Sequence, residues 1–406
     1  MWQSIKNIYH LFQGVAAVTL SGFPGRGMTI IGVTGTDGKT TTASIIYHIL
    51  KTAGYKTALV SSVSAIIDGK NYDTGFHVTT PNSFAVQSYL KKAKKAGVKF
   101  VVLEVTSHAL DQHRVYGVPF KIGVLTNISN EHLDYHKTYE RYAKTKAKLL
   151  KSAHVAIINK EDRSYKFIKS LLKHHKVISY GFKKDADLNL HNFQFRTKVF
   201  GQFNQYNILA AIAVARELRL SDEVIRKAVA SYMTPEGREE IVYNKDFAVI
   251  IDFAHTPNSF LHILPEARKF TKNRLIHVFG AAGKRDAFKR PQMGKLSSDF
   301  ADIVVVTAED PRNELVEKIN DEIVKGITNK KFEIVSESKI KEKGKFVVKI
   351  PDRREAIQFA ISNAKKGDVV LLTGKGHEKS MNYGKGEELW SEHEVVKEAL
   401  KERNLG

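Results

Sequence analysis

Six residues, Thr29-Ile30-Ile31-Gly32-Val33-Thr34, form an apolar run that empties into Gly35-Thr36-Asp37-Gly38 and then into a helical pattern from Lys39 to Ala53. A buried strand, a glycine-rich turn and a helix opening on Lys-Thr leave few folds open. Glycines let backbone N–H groups close around phosphate oxygens, and the helix N-terminus adds a positive field. In such a turn Lys39 would reach the β- and γ-phosphates of a nucleotide, and Thr40 would ligate Mg²⁺. The strict GxxxxGK[ST] spacing is not met, because its first glycine falls on Val33. What supports a phosphate loop is the coincidence of strand, turn, Gly-Lys-Thr and helix.

The rest of the chain repeats the strand–helix alternation. Strand-like runs fall at 100–105, 121–126 and 155–159, with helical patterns at 83–96 and 139–151 between them. A second series of strands follows at 248–252, 275–279, 303–307 and 369–373. Alternation of this kind predicts parallel α/β sheets. Turn chemistry in Met233-Thr234-Pro235-Glu236-Gly237 marks the join. The predicted divisions are a short segment 1–28, a nucleotide-binding domain 29–234 and a second α/β domain 235–406.

Composition excludes several classes. No run reaches the ~18 apolar residues of a membrane-spanning helix, and the start of the chain lacks the pattern of a secretory signal. With no cysteine there are no disulfides and no thiolate metal sites, which is compatible with a reducing cytoplasm, the expected location. Sixty-four Lys and Arg against 43 Asp and Glu give a net charge of +21, a field that attracts phosphorylated ligands. The basic residues are scattered in clusters such as 91–95, 144–151 and 339–345. No RNA-binding aromatic signature or zinc-finger spacing accompanies them, so solvated helix faces are the expected reading and no nucleic-acid partner is expected.

Ordered segments then narrow the function. They are Thr79-Thr80-Pro81, Glu104-Val105-Thr106-Ser107-His108-Ala109-Leu110, Glu131-His132-Leu133-Asp134-Tyr135-His136, Phe203-Asn204-Gln205-Tyr206-Asn207, Asp252-Phe253-Ala254-His255-Thr256-Pro257, Lys284-Arg285-Asp286 and Gly374-Lys375-Gly376-His377-Glu378. Together with the loop, they make the chain resemble the Mur ligase family over nearly all of residues 29–406. Within it the match is nearest to the ligases that add the third residue of the peptidoglycan stem peptide. The resemblance implies a central P-loop NTPase-like domain followed by a Rossmann-like α/β domain. It also implies an ATP-dependent amide ligase that activates a carboxylate as an acyl phosphate.

The same resemblance implies the site. Gly35, Thr36, Asp37, Gly38, Lys39, Thr40 and Thr41 would hold the ATP phosphates, Asn207 the adenine, and Arg238, Asp252 and His255 the nucleotide from the second domain. Thr40, Glu104, His132 and a carbamylated Lys146 would hold two Mg²⁺ ions, which neutralise the charge gathered during acyl transfer. An unmodified ammonium beside two Mg²⁺ ions would be repelled, hence the carbamate; Lys144 and Lys148 are the neighbouring alternatives. Thr79, Thr80, Thr106, Gln112 and Arg114 would meet a muramyl-dipeptide acceptor. Arg285, Glu309, Asp310, Arg312, Gly374 and Glu378 would meet the incoming amino acid. The family's diaminopimelate users carry Asp-Asn-Pro-Arg where this chain has Glu309-Asp310-Pro311-Arg312. The retained arginine fits an anionic partner and points to meso-diaminopimelate, with L-lysine or another diamino acid as the alternative.

Other readings remain at this point. A ligase of the same fold on a lipid-linked, pseudomurein, folylpolyglutamate or cyanophycin-type acceptor is one, and a nucleic-acid-dependent P-loop ATPase is a distant second. The family enzyme also carries an N-terminal domain that grips uridine diphosphate, and 28 residues before the first strand are too few for one. Residues 1–22 are expected to form an amphipathic helix whose Ile5, Ile8, Tyr9, Phe12 and Val15 pack on the central sheet; a weak contact with a membrane surface is the alternative. The expected partners are small molecules, and the expected state is a monomer.

Overall fold

The computed structural model describes residues 2–72, 80–129, 131, 133–340 and 344–405, and only the backbone of 2–5, 133 and 134. Two compact units divide at Met233/Thr234. The first holds strands β1 (Thr29–Thr34), β2 (Thr57–Val60), β3 (Ala65–Ile67), β4 (Lys70–Tyr72), β5 (Phe100–Glu104), β6 (Phe120–Leu125), β7 (Val155–Asn159) and β8 (Lys176–Tyr180). They form one sheet in the order β4-β3-β2-β5-β1-β6-β7-β8, antiparallel only at β3 and β4. Its helices are α1 (Trp2–Leu20), α2 (Lys39–Thr52), α3 (Ser83–Lys95), α4 (Ser107–Asp111), α5 (Leu133–His136), α6 (Tyr139–Ser152), α7 (Tyr165–Ser170), α8 (Gln202–Glu217) and α9 (Asp222–Ser231).

The central strands are buried on both faces, as parallel strands covered by helices must be. From β1, Ile31 and Val33 face α2 and α8 in one core, while Ile30 sits in another with Val86, Leu90, Val101 and Leu103. Because β5, β1 and β6 are neighbours and parallel, their C-terminal ends emerge side by side. The crossover from β1 runs to β2 on one side and the one from β5 runs past β1 to β6 on the other, the kind of switch point at which α/β sheets bind ligands.

The second unit has β9 (Glu240–Asn244), β10 (Ala248–Asp252), β11 (Leu275–Phe279), β12 (Ile303–Val306), β13 (Phe332–Ile334), β14 (Lys345–Lys349) and β15 (Val369–Thr373), and a separate hairpin of β16 (Ser380–Asn382) and β17 (Glu387–Leu389). The sheet order is β13-β14-β12-β11-β15-β10-β9, with β9 alone antiparallel. Helices α10 (Pro257–Phe270), α11 (Lys289–Phe300), α12 (Val316–Val324), α13 (Arg353–Asn363) and α14 (Glu392–Glu402) flank it. The chain is thus two α/β units, each with a mainly parallel sheet, as the alternation predicts. Among the described residues no helix is long and apolar enough to cross a membrane.

The N-terminal segment is helical, but the face expected to pack does not. Ile8, Tyr9, Phe12 and Val15 are exposed, Phe12 at 70%; the side chain of Ile5 lies outside the described residues. The helix docks instead through small residues. A Cβ on Gly14 would stand 2.9 Å from the carbonyl of His113 and from Cβ of Tyr116. Ala17 and Val18 are buried, and Asn7 Nδ2 donates to Asp111 Oδ2 at 3.0 Å.

Candidate active site

The turn after β1 needs its glycines. Gly35 has φ 156° and Gly38 φ 78°, the left-handed half of the map that favours glycine. A Cβ on Gly35 would stand 1.8 Å from Thr126 Oγ1, and one on Gly38 2.3 Å from Asn207 Oδ1. The residues after β6 clamp the loop. Thr126 Oγ1 donates to the Asp37 carbonyl at 2.6 Å, Asn127 Nδ2 donates to the same oxygen at 3.0 Å, and Asn127 Oδ1 accepts from Asp37 N. Thr36 N donates to the Asn127 carbonyl, and Thr36 Oγ1 lies 3.2 Å from the Tyr142 hydroxyl. Lys39 folds back over the turn, its Nζ donating to the Thr36 carbonyl at 2.7 Å. Thr41 is buried in the first turn of α2. Asn207 accepts from Thr42 Oγ1 at 3.2 Å and donates to Asn204 Oδ1 at 2.9 Å. Each group of its amide keeps a further hydrogen-bonding position, on which an adenine contact would draw.

Glu104, at the end of β5, is buried beside the loop. Thr40 Oγ1 donates to its carboxylate at 3.1 Å, and Ser62 reaches Oε2 through both its backbone N–H, at 3.0 Å, and its hydroxyl, at 3.3 Å. A carboxylate and a threonine hydroxyl converging where the phosphate loop enters α2 are oxygen donors of the kind Mg²⁺ takes. His132 lies outside the described residues. Among those described, no group of three or more His, Cys, Asp or Glu gathers.

Lys146, on α6, is 1% exposed. Its Nζ donates to the Gly35 carbonyl at 2.6 Å and lies 4.5 Å from the centre of the Tyr142 ring. Burial, with the charge of Lys39 adding to it, holds its amine well below the usual lysine range. Nearby His136 accepts from or donates to Ser107 Oγ at 3.1 Å, and burial together with the charge on His108 lowers it to about 4.

The residues expected at the acceptor form one network, apart from Thr79, which lies outside the described residues. Thr80 Oγ1 donates to the Glu104 carbonyl at 3.2 Å and accepts from Thr106 N at 3.0 Å. Arg114 Nη1 donates to the Thr80 carbonyl at 2.7 Å, while its Nε and Nη2 donate to Gln112 Oε1 at 3.0 and 2.7 Å.

In the second unit, the C-terminal ends of β10, β15, β11 and β12 emerge side by side. Asp252 Oδ1 accepts from Ala254 N at 2.7 Å and Oδ2 from Glu239 N at 2.9 Å; burial raises its carboxyl above the usual range, against the pull of Arg238. Arg238 lies over the Phe253 ring, and His255 Nδ1 is 2.8 Å from the Phe253 carbonyl. After β12, Asp310 and Arg312 take φ 48° and 55°, which non-glycine residues rarely adopt. This turn rests on Gly283, whose Cβ would meet the Pro311 carbonyl at 1.9 Å.

Lys375 organises the surroundings of that turn. Fully buried, its Nζ pairs with Asp310 Oδ1 at 2.9 Å and Glu378 Oε2 at 2.6 Å; burial works against its charge, but the two carboxylates outweigh it and hold the ammonium above its usual range. Glu309, buried against Gly374, has one oxygen without a hydrogen-bond partner among the described residues, and burial pushes its carboxyl up to about 7. Arg312 is partly exposed and Arg285 exposed. Glu309, Asp310, Gly374 and Glu378 are therefore gathered around Lys375, which nothing but its place in Gly-Lys-Gly-His-Glu singles out in the sequence. Ser62, Thr126, Asn127 and Tyr142 were likewise not singled out. They reach the loop across the sheet, from positions as far as 106 residues away.

Comparison with known proteins places this geometry. The Mur ligase middle domain matches residues 33–215, and the Mur ligase glutamate ligase domain matches residues 237–376. A UDP-N-acetylmuramoyl-L-alanyl-D-glutamate–2,6-diaminopimelate ligase of Aquifex aeolicus is 40% identical over 409 residues, covering 95% of this chain and 80% of its own. The ligase of that name from Thermosynechococcus vestitus is 36% identical, covering 96% and 80%. A solved structure of a ligase of that name superposes with a TM-score of 0.63 at 28% identity, over 93% of this chain and 79% of the other. E. coli FolC in complex with ADP shares the fold with a TM-score of 0.71 at 22% identity, over 97% and 94%.

Proposed function

Because the chain belongs to the Mur ligase family and is an ATP-dependent amide-forming ligase, we propose that it joins meso-diaminopimelate to the D-glutamyl carboxylate of a muramyl dipeptide in stem-peptide synthesis. The observation that carries the chemistry is the convergence of Lys39, Thr40 and the buried Glu104 at the adjoining ends of β1 and β5. An acceptor carboxylate oxygen attacks the γ-phosphorus, the bond to the β-phosphate oxygen breaks, and ADP leaves. The amine nitrogen of the second substrate then attacks the acyl carbon, phosphate departs with the former carboxylate oxygen, and the nitrogen loses a proton.

Lys39 is assigned to charge stabilisation at the β- and γ-phosphates, and Asn207, Arg238, Asp252 and His255 to the nucleotide. Thr40, Glu104, His132 and Lys146 would hold magnesium, which supplies neutralisation of charge on phosphate and carboxylate oxygens. Lys146 fits conversion to a carbamate. Burial and the charge of Lys39 hold its amine well below the usual lysine range, which favours the neutral form, and a neutral amine adds CO₂ with loss of one proton. The product places an anion able to bind metal where the lysine amine stood. Thr79, Thr80, Thr106, Gln112 and Arg114 are assigned to the acceptor. Arg285, Glu309, Asp310, Arg312, Gly374 and Glu378 are assigned to the amino acid. We place the enzyme in the cytoplasm, acting as a monomer.

The amine is tested by phosphate release and product mass over a matrix of diamino acids against UDP-linked and lipid-linked muramyl dipeptides. Meso-diaminopimelate on a muramyl dipeptide is the expected pair; lysine as the better amine contradicts the assignment of Arg312. In the same assay Arg312→Ala should raise KM for diaminopimelate about ten- to a hundredfold and leave KM for ATP unchanged, as expected for loss of a charge-assisted pair.

A further inference from the structure

A cavity of about 260 Å³ in the first unit is lined by His10, Gln13, Asn82, Ser83, Gln112 and Arg114. Two of these side chains come from α1. The helix is fixed there by its close approach at Gly14, by Val18 against Gly117, and by the Asn7–Asp111 hydrogen bond. The opposite wall belongs to the acceptor network. Thr80 connects the end of β5, where Glu104 meets Thr40, to Arg114, and Arg114 is joined to Gln112. An acceptor whose reacting carboxylate lies beside Thr40 and Glu104, and whose body passes Thr80 and Arg114, therefore reaches α1 at its other end.

The lining favours one ligand chemistry. Among the described residues it contains no carboxylate, and each amide oxygen already accepts or is approached within the wall: Asn82 Oδ1 accepts from Ala85 N, Gln112 Oε1 from Arg114, and Gln13 Oε1 lies 3.3 Å from His10 Nδ1. Gln13 Nε2 donates to the Tyr9 hydroxyl, which orients its amide. What the wall offers a ligand is mainly donors: the Asn82 NH₂, the Ser83 hydroxyl, the second Gln13 N–H and the remaining guanidinium N–H groups, with the outer nitrogen of the His10 ring left to accept from a hydroxyl. The volume is below the roughly 300–1,000 Å³ of pockets that enclose a whole drug-sized ligand, so it suits one segment of the acceptor.

We propose that α1 forms the far wall of the acceptor pocket, with His10 and Gln13 recognising carbonyl and hydroxyl oxygens on the acylated sugar side of the acceptor, beyond its reacting dipeptide. The assignment rests on the ligase reading for the position of the carboxylate. It makes α1 a specificity element of the reaction in addition to its docking on the first unit.

The test is steady-state ligation by the full chain with UDP-N-acetylmuramoyl-L-alanyl-D-glutamate and with N-acetyl-L-alanyl-D-glutamate, which lacks the sugar. The double substitution His10→Ala and Gln13→Ala should raise KM for the sugar-bearing acceptor about tenfold, without changing KM for ATP. With the short acceptor the difference from the parent should vanish. Gln13→Glu, which turns the wall from donor to acceptor, should also raise KM for the sugar-bearing acceptor. Both side chains are only partly buried, and a melting curve verifies that the variants fold. Ligation by the parent with unchanged acceptor KM in both variants overturns the role of α1 and leaves the ligase reading standing. An equal rise with the short acceptor also overturns it, since that reports a structural effect. A parent that ligates neither acceptor overturns the ligase reading, and this proposal with it.

Discussion

Lys39→Ala is expected to lower acceptor-dependent phosphate release by about 10²–10³-fold, the cost of removing one group that stabilises charge in the transition state. The fold should survive. Lys39 opens α2 and its Nζ bonds the Thr36 carbonyl, so its loss leaves the packed strand and the clamp from Thr126 and Asn127 in place. A second effect adds to the first. After burial, the charge of Lys39 helps hold the Lys146 amine below the usual lysine range, so removing it raises the proton affinity of that amine and reduces the fraction able to add CO₂. A variant that melts like the parent and turns over normally would mean that phosphate is gathered elsewhere.

Lys146→Met should keep the volume of a fully buried side chain and lose activity by about a hundredfold or more, because the carbamate that would hold metal cannot form. Lys146→Ala should show a similar loss at some cost in stability from the cavity. Added acetate or formate should restore part of its activity by occupying that space with a carboxylate. Depleting CO₂ and bicarbonate should slow the parent and leave the variants unchanged. Full activity in Lys146→Met would move the modification to Lys144 or Lys148. Lys148 already pairs with Asp111 at 3.1 Å on the surface, which makes it the poorer candidate.

Much of the fold was legible because buried parallel strands read as short continuous apolar runs. The runs at 29–34, 155–159, 248–252, 275–279 and 369–373 coincide with β1, β7, β10, β11 and β15. The hairpin of β16 and β17 was not legible, since three-residue strands such as Glu387–Leu389 carry no apolar alternation. The N-terminal helix shows a different limit. Ile8, Tyr9, Phe12 and Val15 dominate its apolar pattern, yet Gly14, Ala17 and Val18 make the contact. Small side chains weigh little in a hydrophobic pattern but let two backbones approach closely.

The candidate site divides along similar lines. The loop from Gly35 to Thr41 was legible because its residues are contiguous and the chemistry of the turn is local. Glu104, Thr80, Thr106, Gln112 and Arg114 came into view only through the resemblance, and the structure gathers them at the end of β5. Ser62, Asn127 and Tyr142 could not be read from spacing at all. Their contacts with Thr40, Asp37 and Thr36 exist because β2, β6 and α6 bring distant segments to one edge of the sheet. Lys375 was hidden by its type: a lysine in a glycine-rich segment reads as solvated until its own burial and its two carboxylate partners are seen.

The most direct measurement follows oxygen from the acceptor. With ATP, diaminopimelate and a muramyl dipeptide whose reacting carboxylate carries ¹⁸O at both oxygens, the carboxylate oxygen that attacks phosphorus must leave with the phosphate. Mass analysis of the phosphate released by the unaltered chain should show one ¹⁸O per molecule, matched by loss of one ¹⁸O from the carbonyl end of the product. Unlabelled phosphate, released while amide product forms, would show that the carboxylate is not activated as an acyl phosphate and would contradict the assigned chemistry.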